Sequence, residues 1–216
     1  MRVSFVDRGG SLESLVSDPT TSVVSAVIAG QVQSWNGTGV IAGVTVAAHD
    51  PVDTGDWPMI DAMVSDTNGE WRFDGLDFDQ YAIRAARVAG VDDLLAITSA
   101  DAMAALKLTL GRNPNPDPDG PGPLLPAPIS PHQLIAADID QDGRLTRDDA
   151  QANLRLSQGV GASSWVFLQE AQPIPPGSYT DVPASTEIFA YADLLSDVQL
   201  TGVLLGDVNG SWPPVV

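Results

Sequence analysis

Asp138-Ile-Asp-Gln-Asp-Gly-Arg-Leu-Thr-Arg-Asp-Asp149 decides how the rest of this chain is read. Asp138, Asp140 and Asp142 alternate within five residues, and like charges this close repel one another. Gly143 follows at the sixth place, where a chain wrapping an ion must turn sharply. Arg144 offers its carbonyl at the seventh place, Thr146 fills the ninth, and Asp149 closes the stretch at the twelfth. Oxygen donors at these places around a glycine at six are the spacing of an EF-hand-like calcium loop. A solvated acidic turn is the competing reading, and it leaves the glycine at six and the acid at twelve to chance.

The helix expected after this loop has a double. Residues 98–111 align with 146–159 without a gap. Thr98 matches Thr146, Asp101 matches Asp149, and Lys107 matches Arg155. Ala102, Ala104, Leu106, Leu108 and Gly111 return as Ala150, Ala152, Leu154, Leu156 and Gly159. Two unrelated amphipathic helices often share Ala and Leu. They do not share a cap, an acid, a base and a terminal glycine in register, so duplication is the economical reading. Residues 131–137 can form a short helix leading into the loop. Residues 113–131 hold most of the prolines and read as an irregular connector.

A duplicated loop–helix unit with Asp at place twelve resembles the dockerin family (type I-like), over about residues 92–159. The resemblance implies two repeats packed with pseudo-twofold symmetry, calcium as the ion, and a cohesin-type partner. In that family, recognition uses loop places ten and eleven and the following helix. Here those are Ser99, Ala100, Leu106 and Lys107, then Arg147, Asp148, Leu154 and Arg155. The first repeat departs from the pattern. Places one, three and five fall on Gly90, Asp92 and Leu94, and Leu95 replaces the turn glycine. That half-loop is not expected to hold calcium. Gly206-Asp-Val-Asn-Gly-Ser211, at the far end, looks like the missing opening. A split site is expected, in which Asp207, Asn209 and Ser211 meet the carbonyl of Ala96, the oxygens of Thr98 and the carboxylate of Asp101. The alternative is that residues 207–210 are only a turn ending a strand, and that Asp101 only starts a helix.

Residues 23–88 change period from 3.6 to two. Apolar, β-branched runs at 23–32, 40–48, 59–65, 70–73 and 81–88 alternate with turns, and Asn36-Gly37 and Asn68-Gly69 are hairpin signals. A small antiparallel β-sandwich is expected. Gly30-Gln-Val32, Gly43-Val-Thr-Val46, Ser65-Asp-Thr-Asn-Gly-Glu-Trp-Arg-Phe73, Gly75-Leu76 and Tyr81 resemble the carboxypeptidase regulatory-like and Cna B-type surface modules. Some members of that family form a Lys–Asn isopeptide bond. The only lysine here is Lys107, outside this region, so that bond cannot form. Large surface proteins with a Cna B-type module before degenerate dockerin repeats resemble this order. Short extended runs return at 165–168, 188–192 and 198–205.

The fold class expected is therefore α+β in two domains: the sandwich at 23–90, then a dockerin-like calcium-binding domain at 91–216 with trailing strands. Residues 1–22 read as a linker or tail. A net charge of −18, from 28 acids against 10 bases in 216 residues, opposes binding to nucleic acid or anionic membrane. There is no cysteine, hence no disulfide or thiolate metal site. No apolar run reaches membrane-spanning length. No signal peptide is evident, so a secreted form would belong to a longer chain. His49 and His132 lack zinc-site spacing, and no nucleophile elbow or phosphate loop occurs. The expectation is a non-catalytic, calcium-binding module at the cell surface or outside the cell. Its roles would be structural, or the docking of a cohesin-type partner.

Overall fold

The strands form where side chains alternate between an apolar and a polar face. In β1 (Ala26–Ser34), Ala26, Ile28, Val32 and Ser34 are buried while Gln33 is exposed. β2 (Thr45–His49), β3 (Met59–Val64), β4 (Glu70–Leu76) and β5 (Gln80–Ala86) follow. Then come the helices α1 (Val91–Leu94), α2 (Ser99–Thr109), α3 (Pro131–Ala137) and α4 (Arg147–Leu156). The chain returns to strands in β6 (Trp165–Leu168), β7 (Ile188–Tyr191) and β8 (Ser196–Leu204). This computed structural model describes residues 25–51, 57–169, 181–182, 187–193 and 196–213. The linker expected at residues 1–22 lies outside them.

The protein is α+β; the described residues form two four-stranded sheets, ordered β4-β1-β8-β6 and β3-β2-β5-β7. Ile28, Val32, Trp71, Phe73, Val198 and Leu200 of the first sheet share one apolar cluster with Val46, Ala48, Ile83, Ile188 and Ala190 of the second. Each sheet therefore covers the inner face of the other.

The sheets are not built from residues 23–90 alone. β8 lies beside β1 in parallel, from Ile28↔Ser196 to Ser34↔Gly202, and β6 extends the same sheet. β7 pairs with β5 in the other sheet. The trailing strands, expected to accompany the helices, are thus integral to the sandwich. Asn36-Gly37 and Asn68-Gly69 do make tight turns, with both glycines at positive φ; the first closes one antiparallel bridge, Gln33↔Val40, but neither joins two named strands of one sheet. β1 and β4 belong to the first sheet, β2 and β3 to the second, so each turn carries the chain across the sandwich. One edge of β1 is taken by β8, and the other by β4 as far as Gln31, beyond which Gln33 bridges Val40.

The helices share a second apolar cluster: Ala105 and Leu108 of α2, Leu134 and Ala136 of α3, and Leu145 before α4. Leu168 of β6, Val203 of β8 and Val208 belong to it too, so helices and sandwich meet over these strands. α2 and α4 are built alike. Thr98 and Thr146 have nearly the same extended backbone, and each caps its helix in a box with Asp101 or Asp149. Each helix ends with a glycine at positive φ, Gly111 or Gly159, and the next N–H returns to the carbonyl of Lys107 or Arg155. The duplicated helices therefore share their N-terminal capping box and their terminal glycine turn. α1 occupies the place of the degenerate half-loop, so a helical turn stands where an ion loop would have to open.

Candidate metal centre

α3 delivers the chain into the loop at Asp138, and α4 begins at its far end. The buried Asn153 of α4 joins the two helices, donating to the carbonyl of Ala137 at 3.0 Å. Between them, Asp138, Asp140 and Asp149 each place a carboxylate oxygen within 4.8 Å of the others. Asp138 and Asp149 are buried and Asp140 is exposed. This trio could hold a metal ion. Asp142 and Thr146 lie outside the trio. Asp142 accepts from the Arg144 N–H at 2.8 Å, and Thr146 donates its N–H and hydroxyl to Asp149 Oδ2 at 2.9 and 3.0 Å. Gly143 turns the chain at φ 84°, a left-handed conformation that favours glycine, and its N–H reaches Asp138 Oδ2 at 3.1 Å. The backbone of Arg144 bridges to Asp181.

Asp138 carries the strain of this arrangement. It is 3% exposed, and its Oδ1 is buried with no hydrogen-bond partner among the described residues. Burial pushes its carboxyl up to about 6; Asp149, Asp140 and Asp142 add to the rise, while the Gly143 N–H opposes it. A buried, unpartnered carboxylate oxygen among other carboxylates is costly in a bare protein and matches the donor set of a hard, oxygen-seeking cation.

The tail residues come to the start of α2. Ser211 Oγ donates to the carbonyl of Ala96 at 2.9 Å, and the Asn209 N–H donates to Asp101 Oδ1 at 2.9 Å. Asp101 Oδ2 accepts the N–H and hydroxyl of Thr98 at 2.8 and 2.9 Å. Asp207 receives the N–H groups of Ser211 and Trp212 at 2.9 and 3.1 Å. All six residues of the expected split site, Ala96, Thr98, Asp101, Asp207, Asn209 and Ser211, therefore lie in one neighbourhood. Asp101 and Asp207 are almost fully buried, at 0% and 1% exposed. Burial pushes Asp207 up to about 6, and Asp101 adds to the rise. Burial also raises Asp101, against hydrogen bonds from Asn209 and Thr98. By expected loop place these residues match the intact loop, with acids at one and twelve, a carbonyl at seven and a threonine at nine, but here each oxygen of Asp101 and Asp207 accepts a hydrogen bond.

The residues expected to face a partner stay open. Ser99, Ala100, Arg147, Asp148 and Arg155 are exposed and Lys107 is half-buried; Leu106 and Leu154 are 43% and 48% exposed. Among the described residues, no helix is long and apolar enough to cross a membrane.

Sequence reasoning missed two residues that hold the tail in place. Asp93, 4% exposed, pairs with Arg87 at 3.1 Å and accepts the Trp212 indole N–H at 2.9 Å. Asn36 donates its amide to the carbonyls of Gly210 and, at 2.6 Å, Trp212. Their tail partners lie more than a hundred residues away along the chain, so no local pattern could have marked these contacts. No protein-family model matches the chain, and no curated protein is significantly similar to it. Fold and site together define an α+β protein with an oxygen-rich candidate cation centre.

Proposed function

We propose that the protein is a non-catalytic, calcium-binding structural module of the extracellular or cell-surface kind, part of a large secreted surface protein or adhesin. The unpartnered, buried Oδ1 of Asp138 beside Asp140 and Asp149 carries the reading, because a divalent cation removes the cost of that atom. Calcium is the ion that suits the whole loop: six or more oxygen donors on a flexible twelve-residue frame exceed what magnesium usually takes from protein. The tail loop, with Asp207, Asn209, Ser211, Ala96, Thr98 and Asp101, is a second calcium site on this reading. Binding would join helices and sandwich, coupling ion occupancy to folding. Calorimetric titration of wild type and Asp149→Ala with calcium, then magnesium, tests it. Saturable calcium binding that Asp149→Ala weakens supports the reading, and equal, weak uptake of both ions by both proteins overturns it.

The second reading is a dockerin-like docking of a cohesin-type domain. It is favoured by the exposure of Leu106, Leu154 and Arg155 on helices whose other faces are packed. Calcium-dependent capture by a cohesin-type domain, lost in a Leu106→Glu/Leu154→Glu double variant, would support it. No capture with calcium present would leave the structural role alone.

A further inference from the structure

The two loops differ most at the sixth place. In the intact loop, the Gly143 N–H reaches Asp138 Oδ2 at 3.1 Å, and the peptide chain runs straight on to Arg144. In the tail loop the sixth place is Trp212, and its N–H reaches Asp207 Oδ2 at the same 3.1 Å. No covalent bond joins Trp212 to Ala96, which supplies the seventh place. Something else must hold the halves together, because two separate segments lose more freedom on meeting than one continuous loop does.

Ser211 to Ala96 and Asn209 to Asp101 already span the halves, and the indole of Trp212 adds a join at the sixth place. Its Nε1–H donates to Asp93 Oδ1 at 2.9 Å, and Asp93 stands three residues before Ala96. The ring also meets Trp165 edge-on, with centroids 5.0 Å apart. Asp93 is itself fixed. It pairs with Arg87 at 3.1 Å and accepts the Gly90 N–H at 2.8 Å. The Arg87 guanidinium lies over the Trp165 ring at 5.1 Å. Trp212 therefore touches a candidate ligand through its backbone and a buried, charge-balanced hub through its side chain.

We infer that Trp212 is a positioning residue for a divalent cation in the tail loop. The Asp93–Arg87–Trp165 hub seats its indole, and the seated residue holds Asp207 facing Asp101. The indole–carboxylate hydrogen bond stands where the intact loop has a peptide bond. The inference rests on the reading that the tail loop binds calcium. It adds a residue that donates no oxygen to the ion and that a ligand pattern does not reveal.

Calorimetric calcium titration in an Asp149→Ala background, which leaves the tail loop as the remaining site, tests it. Trp212→Phe keeps an aromatic ring and the backbone N–H, and removes the indole donor together with part of the ring. The expected result is a loss of at least about tenfold in tail-loop affinity, as befits a lost hydrogen bond to a buried charged group. The Tm of Trp212→Phe should fall more in calcium than in EDTA. Equal falls in both media with unchanged affinity would mean a merely structural tryptophan and overturn the inference. NMR exchange of the Trp212 indole proton in the otherwise unaltered protein gives a check that needs no variant at that position. Calcium should slow the exchange, and an unchanged rate on saturation overturns the inference. An Asp149→Ala protein that takes up no calcium, or whose uptake Asp207→Ala leaves intact, removes the tail-loop reading itself, and the role of Trp212 with it.

Discussion

Asp138→Asn should stabilise the ion-free protein and cripple the ion-bound one. Burial and the neighbouring acids hold the Asp138 carboxyl at about 6, against an ordinary 3.8. A group whose folded value is raised binds its proton more tightly in the fold than in the unfolded chain. Above pH 6 the ionised form therefore costs the fold its full penalty, and the cost shrinks as pH falls from 6 towards 3.8. A rise of roughly two units corresponds to about 3 kcal/mol at neutral pH. Asparagine has nearly the same shape and no charge. Its amide can donate to Asp140 or Asp149, while its oxygen still accepts the Gly143 N–H. Allowing for imperfect geometry, about 2 kcal/mol should be recovered, or roughly 4–8 °C in Tm for a chain of this size. In calcium the sign reverses. At a thousandfold excess over Kd, an intact site adds about 4.1 kcal/mol, and the variant forfeits most of it. Calorimetric melting of both proteins in EDTA and in millimolar calcium gives the four Tm values needed. Crossing stabilities are expected, with the variant higher in EDTA and lower in calcium. A variant that melts below wild type in EDTA and keeps the full calcium shift would refute the reasoning.

Three further outcomes follow from the same geometry. Because Asp138 and Asp207 both titrate near 6, calcium affinity should fall about tenfold per site between pH 7 and pH 5, while the Tm in EDTA rises over that interval. Titrations and melts at the two pH values check both signs. Asp93→Ala should lose about 3–5 kcal/mol in urea unfolding in EDTA, because it leaves the Arg87 guanidinium, already holding one buried unpartnered nitrogen, without its counter-charge. A fragment of residues 23–90 should show no dispersed NMR spectrum. It lacks β6, β7 and β8, and so leaves β1 and β5 each short of one partner strand and removes Ile188, Ala190, Val198 and Leu200 from the shared core.

Much of this organisation was legible in the chain because it is encoded over short distances. The loop at 138–149, the boxes at Thr98 and Thr146, and the terminal glycines are all patterns within a dozen residues, and the helices begin and end where these signals stand. The strands after residue 90 were legible as strands, but not as members of the first sheets. Pairing between Ile28 and Ser196 depends on shape and burial across most of the chain, and a parallel register leaves no turn signal. Asn-Gly pairs at 36–37 and 68–69 fixed the turns without deciding which strands would pair, because a turn between sheets and a turn within one use the same residues. Asp207 and Asp101 were linked from the sequence through their loop places. The Trp212–Asp93 contact was not, since neither residue is an oxygen ligand in the pattern.

Native mass spectrometry of the folded protein at submillimolar free calcium tests the central claim most directly. Two calcium ions are predicted for wild type, one for Asp149→Ala, one for Asp207→Ala, and none for the double variant. A wild-type protein that remains free of calcium under these conditions, or one whose ion count neither substitution changes, would contradict it.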